Sequence, residues 1–314
     1  EGTEHNTSRT VSFSDCVFRD YYDAAEPGGA IYCGIVGSGT LYGLNFILQN
    51  VQFLNCRSEN KNGGGAIYCY IGASDAELPT LIFNIDQCSF EHCKSKCGGA
   101  CAINCRKGKR GISITNTTFQ SNLATSTSDP TVSSSDFLTK GGGGGALLLG
   151  LQTATISNCT FENNTCTYGS NIAIVSTNKA GDTKVVLQNC SISFPTTTDT
   201  DVKSSLYFAT GSNLKLYLSI EGNTFLSTGL QENQYHINGT KLTSFSIGKD
   251  NCYTNSDDEN YLFSPDFSSA LSEQDNKIEL CSPSPIDPTP IIETCQEGTE
   301  HNTSRTVSFS DCVF

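Results

Sequence analysis

Short runs of alternating apolar and polar residues recur along the chain, and each closes on an aromatic or aliphatic anchor. A small residue or a cysteine stands two positions before the anchor at Cys16/Phe18, Val51/Phe53, Cys88/Phe90, Thr117/Phe119 and Cys159/Phe161. The pattern continues in weaker form at Cys190/Ile192 and Asn223/Phe225. Period-two alternation marks a strand with one face buried. Successive anchors lie 35, 37, 29, 42, 31 and 33 residues apart. A second motif, Gly-Gly-Ala-aliphatic, falls at Gly28-Gly29-Ala30-Ile31, Gly64-Gly65-Ala66-Ile67 and Gly144-Gly145-Ala146-Leu147, with the variant Gly98-Gly99-Ala100-Cys101 between. Polar and Gly-rich turns separate the strands, and no segment sustains a 3.6-residue period. Strands at this spacing without helices between them predict an all-β solenoid that stacks coil on coil.

The paired motifs resemble the GGAI and Phe-x-x-Asn repeats of chlamydial polymorphic outer-membrane proteins and related β-helix surface proteins. Phe-x-x-Asn stands at Phe119-Gln120-Ser121-Asn122 and Phe161-Glu162-Asn163-Asn164; Cys replaces Asn in Phe53-Leu54-Asn55-Cys56 and Phe90-Glu91-His92-Cys93. The likeness covers residues 14–176 and fades afterwards. It implies a right-handed single-stranded parallel β-helix, here of roughly seven to nine irregular coils, and a cell-surface role that is often adhesive. The chain departs from that family in its glycosylation sequons and in having no membrane barrel, so only the fold is carried over. Two stretches break the rhythm. Residues 123–143, rich in Ser, Thr and Gly, read as a long surface insertion, and 240–281 fits no template and reads as closing coils or a cap.

Residues 1–18, EGTEHNTSRTVSFSDCVF, recur unchanged as 297–314, a period of 297 − 1 = 296 residues. The duplication predicts tandem units: a β-helix unit over 1–281, a Pro-rich extended linker over 282–296, and the start of the next identical unit over 297–314. Units joined in this way would partner one another head to tail along the fibre axis. The first residues carry no Met, basic region or apolar stretch of a leader, which reads as a segment inside a longer or processed protein.

Sixteen cysteines in 314 residues are too many for a reducing compartment unless they bind metal. Cys93, Cys97, Cys101 and Cys105 are four apart, but Gly98-Gly99 interrupts the helix that would align them, so no metal or other cofactor is expected. Equivalent places on successive coils pair Cys33 with Cys69, Cys56 with Cys93, and Cys159 with Cys190. Coils about 4.8 Å apart bring such pairs within disulfide reach, and at least one is expected to be bonded. N-x-Ser/Thr sequons fall at Asn6, Asn116, Asn158, Asn163, Asn189 and Asn238, with Asn302 repeating Asn6. Asn116, Asn158 and Asn189 each precede an anchor by three residues, which predicts a row of N-linked glycans on one side. Cysteines and sequons together point to an extracellular, eukaryotic glycoprotein. The net charge of −13 disfavours nucleic acid as a partner. No apolar run is long enough to span a bilayer as a helix.

The sequence offers little catalytic chemistry. His5, His92 and His236 stand in no recognisable motif. Asp199 with Asp201, and Asp257-Asp258-Glu259, could hold Ca²⁺ weakly, but ordinary solvated loops are the simpler reading. Gly141–Gly145 has no following Lys-Ser/Thr and is no phosphate loop. Lys94, Lys96, Arg106, Lys107, Lys109 and Arg110 crowd into 17 residues of an acidic chain. A solvated turn accounts for them; a lateral contact, to an anionic polysaccharide or to acidic residues 255–260 of another chain, is the functional alternative. Three readings stand in order: a structural subunit of a secreted, glycosylated fibre or surface filament; an adhesin with a β-helical stalk; and a carbohydrate-active enzyme, ranked last because fold predicts function weakly.

Overall fold

The structure, a computed structural model, describes residues 9–37, 44–73, 81–105, 110–127, 143–150, 153–176, 183–196, 201–210, 216–240, 244–265, 278–282 and 306–309. Strand dominates, and every pairing between named strands is parallel. The first four strands are β1 (Arg9–Ser14), β2 (Val17–Arg19), β3 (Tyr22–Asp23) and β4 (Ile31–Gly37), and each opens a different sheet, here A, B, C and D. The next four repeat the order: β5 (Leu44–Gln49) lies on β1, β6 (Gln52–Leu54) on β2, β7 (Arg57–Ser58) on β3, and β8 (Ile67–Ala73) on β4. The third set is β9 (Leu81–Asp86), β10 (Ser89–Glu91), β11 (Lys94–Ser95) and β12 (Cys101–Cys105); the fourth is β13 (Arg110–Thr115), β14 (Thr118–Gln120), β15 (Leu123–Ala124) and β16 (Leu147–Gly150).

Sheet C ends there, and later sets have three strands: β17 (Thr153–Ser157), β18 (Thr160–Glu162), β19 (Ile172–Ser176); β20 (Thr183–Gln188), β21 (Ser191–Ser193), β22 (Ser204–Thr210); β23 (Leu216–Glu221), β24 (Thr224–Leu226), β25 (Tyr235–Thr240). Then come β26 (Ser244–Ile247), β27 (Cys252–Tyr253), a 3-10 turn at Ser256–Tyr261, and β28 (Glu279–Leu280). The insertion expected over 123–143 therefore starts too early. Leu123–Ala124 still pairs with Lys94–Ser95, because its backbone completes the ladder of sheet C.

The anchors form one column down sheet B. Phe18, Phe53, Phe90, Phe119, Phe161, Ile192, Phe225 and Tyr253 pair in unbroken register. Ring centroids from Phe18 to Phe161 are 4.7–5.0 Å apart with interplanar angles of 4–6°. That spacing is set by the strands, which lie about 4.8 Å apart. Strand alternation sends Phe46, Phe83, Ile114, Ile156 and Leu187 from sheet A into the same core. The other face of sheet D carries a second apolar cluster of Tyr68, Ala102, Leu148, Ala173, Val175 and Tyr207.

Two bends recur, the first in all eight sets and the second in the first five. Between sheets A and B the chain passes through positive φ at Asp15, Asn50, Gln87, Asn116, Asn158, Asn189, Gly222 and Asp250. Past sheet B it does so again at Asp20, Asn55, His92, Ser121 and Asn163. Asn, Asp and Gly tolerate the left-handed region best, which explains most of these choices. The Gly-Gly-Ala motif marks the corner before sheet D. Gly64 has φ +73° and Gly65 lies against the backbone of the next set; a Cβ there would stand 2.1 Å from the Gly99 carbonyl oxygen and 2.6 Å from the Lys94 nitrogen.

The last described strand, β29 (Thr306–Phe309), does not continue beyond β28. It lies on the outer edge of β1, at the opposite end of sheet A, with Thr10↔Thr306, Val11↔Val307, Ser12↔Ser308 and Phe13↔Phe309. Of the expected second unit, 297–314, these four residues are the described part. Identical sequences share one in/out alternation, so the copy fits the edge of its original without a register slip. The rest of 297–314, and residues 283–296 of the linker, lie outside the described residues.

Candidate functional site

Three kinds of side-chain column run along the stacked strands: thiols, buried amides, and exposed amides with hydroxyls. All three expected cysteine pairs are adjacent. Cys33 faces Cys69 in register on β4 and β8, and their thiols hydrogen bond. Cys56 meets Cys93, and Cys159 meets Cys190, in the same way. Among the described residues the disulfide is Cys252–Cys281, with Cα atoms 4.9 Å apart and a sequence separation of 29. That pair lies in the stretch that matched no template, although its separation equals the shortest spacing between anchors, Phe90 to Phe119. Cys105 lies at the end of β12, and Cys295 and Cys312 fall outside the described residues.

Cys33 is only partly buried, and its hydrogen bond with Cys69 holds its thiol below the ordinary 9.0. Burial pushes Cys93 and Cys101 well above that value. The thiolate is the reactive form. Brief iodoacetamide treatment of the reduced, folded protein at pH 7–8 is therefore expected to label Cys33 first and to spare Cys93 and Cys101. Uniform labelling of all three in peptide maps would contradict this ordering.

The Asn of Phe-x-x-Asn is a buried structural group. Asn122 accepts from the Cys93 amide (3.0 Å), and its Nδ2 donates to the Phe90 carbonyl (2.9 Å) and to Asn164 Oδ1 (2.9 Å). Asn164 Nδ2 donates to the Phe119 carbonyl (2.9 Å) and to Asn171 Oδ1 (3.0 Å). Asn223 and Asn251 repeat the device at the other corner, with Asn223 Nδ2 donating to Leu187 O and Asn251 Oδ1. These amides bridge adjacent rungs and satisfy backbone groups that the bends leave without ladder partners.

The sequon asparagines lie elsewhere on the bends. Asn116, Asn158 and Asn189 hold the same left-handed position on consecutive rungs and are exposed. Asn163 occupies the second bend and is half-buried; Asn238 is on β25, also half-buried. Asn6 and Asn302 lie outside the described residues. The bend itself writes the sequon. It asks for Asn at positive φ, then an inward residue (Thr117, Cys159, Cys190), then an outward strand residue that is Thr118, Thr160 or Ser191. The row of sequons thus has a conformational cause whether or not sugar is attached. The outward residues continue as a hydroxyl column, Ser89, Thr118, Thr160, Ser191 and Thr224, in direct register.

Of the basic cluster, Lys94 is on β11 and half-buried, and Lys96 is exposed. Arg106, Lys107 and Lys109 lie outside the described residues, as does the side chain of Arg110. Lys94 pairs in register with Arg57, which pairs with Tyr22. The Arg57 guanidinium lies 5.4 Å from the Tyr22 ring centroid and forms an ion pair with Glu59. The outer side of sheet C therefore carries a cationic and aromatic column that the sequence cluster only partly revealed.

The acidic segment expected to receive that cluster is not free along its length. Asp258 is fully buried. Its carboxylate accepts from His236 Nε2 (3.1 Å), from Ser227 Oγ and from the Leu230 amide (3.0 Å). His236, which stands in no recognisable sequence motif, is buried in β25 beside Phe225. Burial pushes the Asp258 carboxyl up, but the three hydrogen bonds outweigh it and hold it below the usual 3.8. A depressed carboxyl contributes stability above the unfolded-state pKa and loses it as pH falls through the folded one. Acid unfolding of the closing segment below about pH 4 is thus expected. Asp258→Asn should remove that acid limb and lower stability at pH 7. An unchanged acid transition, followed by circular dichroism, would remove Asp258 from this role.

Among the described residues no group of three or more His, Cys, Asp or Glu side chains is placed to hold a metal ion, and no helix is long and apolar enough to cross a membrane. Asp201, one of the weak Ca²⁺ candidates, is paired with Lys203 (2.9 Å), and Asp199 lies outside the described residues. No protein-family model, no curated protein and no solved structure matches this chain.

Proposed function

We propose that the chain is a structural unit of an extracellular filament, built as a right-handed parallel β-helix of the kind its GGAI and Phe-x-x-Asn motifs resemble. The return to sheets A, B, C and D in fixed order, always parallel, supports the helix, and right-handed crossovers are the rule for parallel connections. The observation that carries the filament reading is the unchanged recurrence of residues 1–18 at 297–314; within the chain, Thr306–Phe309 of the second copy pairs with Thr10–Phe13 of the first. An edge that accepts a copy of its own sequence is the element a self-assembling rod requires. Eight or nine rungs at about 4.8 Å make a rod near 40 Å long. Electron micrographs of the secreted protein at rising concentration are expected to show filaments with an axial repeat on the order of 40–70 Å, the larger value including a stretch of linker. Discrete particles at every concentration would end this reading.

The oxidised, glycosylated state belongs to the same proposal. Expression in a glycosylating host is expected to give a mass loss on glycosidase treatment, with Asn116, Asn158 or Asn189 converted to Asp. An unchanged mass would leave these asparagines as bend residues alone.

The Tyr22, Arg57 and Lys94 column supports a second reading, a stalk that adheres to an anionic polysaccharide. Guanidinium, ammonium and an exposed ring suit a sulfated or carboxylated sugar. Binding to a heparin-type array that is lost at 0.5 M salt and in Arg57→Ala favours it; no binding at low salt removes it.

A further inference from the structure

We propose that the tail strand, β29, is exchanged between copies, docking on β1 of a second chain as the joint of the filament; this rests on the filament reading above. The two partners carry the same six residues, Arg-Thr-Val-Ser-Phe-Ser, at 9–14 and 305–310. Parallel pairing at zero slip places each of four residues on its own copy, the one register in which identical alternations match. A tail from any chain meets the same edge with the same contacts, which is the condition for strand exchange.

Connectivity favours the second chain. The last rung of sheet B, β28, is eight rungs from β2. A tail that reaches its own β1 must travel back past the whole stack, about 40 Å. Residues 282–305, 306 − 281 − 1 = 24 in number, would reach about 80 Å when extended, so the return is within reach. The same residues include Pro283, Pro285, Pro288 and Pro290, a composition that favours a stiff extended chain over a reversal. A second copy placed end to end presents its β1 edge directly off the far end of the first. The tail then forms a rung between two rods and covers backbone groups that a bare edge would leave to water.

The test uses the whole 314-residue chain. A ¹⁵N-labelled chain with Ser308 replaced by photoreactive benzoylphenylalanine is mixed with an equal amount of unlabelled wild type, equilibrated and illuminated. Exchange predicts comparable yields of crosslinks from the labelled tail to labelled and to unlabelled 10–19 peptides. Crosslinks confined to labelled peptides at every concentration overturn the proposal. A second variant, Thr306→Pro with Ser308→Pro, removes two tail amides without touching the stack, and light scattering is expected to show it as a monomer. If that variant still forms filaments, the joint is wrong and the filament reading survives. If labelled–unlabelled crosslinks form but micrographs show no filaments, the joint stands and the filament reading fails.

Discussion

Phe90→Ala is expected to destabilise the central rungs by about 3–5 kcal/mol. The ring is fully buried and lies between Phe53 at 4.7 Å and Phe119 at 4.9 Å. Ordinary cores soften such a loss by relaxing into the cavity. Here the neighbours hang from strands whose separation is fixed by backbone hydrogen bonds, so the gap cannot close along the stack. Phe18→Ala should cost less, because Phe18 ends the stack of rings and its residue keeps 5% of its surface exposed. Each inner strand of sheet B pairs only with the strands on either side of it. Amide exchange should therefore quicken first in β6, β10 and β14 rather than evenly. A urea midpoint for Phe90→Ala that matches wild type, or uniform loss of protection, would contradict a stack of coupled rungs.

The ladder was legible because it depends on period. One apolar anchor per repeat, six Phe and Ile192, is a local signal seen seven times, and the structure adds Tyr253 to the end. The place of Gly-Gly-Ala was equally visible, but its cause was not: one glycine supplies positive φ and the next leaves room for a backbone from the neighbouring turn. Asn122 and Asn164 were seen as a motif while their burial was hidden, since a sequence does not say which side of a bend an amide takes. The same bends explain why sequons align, a regularity first read as a sign of sugar alone. Pairs without period were missed. His236 and Asp258 are 22 residues apart in a stretch that fits no repeat, and Cys252–Cys281 closes there too. The duplication of 1–18 announced that two segments were alike, but identity carries no direction, and the strand lies at the near edge rather than beyond the far one.

Gly65→Ala should be as damaging as the loss of a core ring, although it adds a single methyl group. The new Cβ would stand 2.1 Å from the Gly99 oxygen, 2.6 Å from the Lys94 nitrogen and 2.9 Å from the Lys94 oxygen. All three are backbone atoms, so no side chain can swing aside. Gly65 also donates its amide to Gly99 O at 3.0 Å, and moving the two chains apart would break the bond that sets the corner. The substitution must either push Lys94–Ser95 away from β7 or open the start of β8, and each costs ladder hydrogen bonds as well as packing. An expected loss of about 3–5 kcal/mol follows, at the upper end of overpacking effects. Gly111→Ala is the matched control. Gly111 is exposed on β13, and a Cβ there meets nothing within 4 Å, so alanine should be neutral or stabilise by about 0.5 kcal/mol through a less flexible unfolded chain. The difference between the two variants in urea midpoint isolates the close approach from the general effect of removing a glycine. Equal midpoints would mean that the corner yields, and that the Gly-Gly-Ala motif owes its place to positive φ at the first glycine alone.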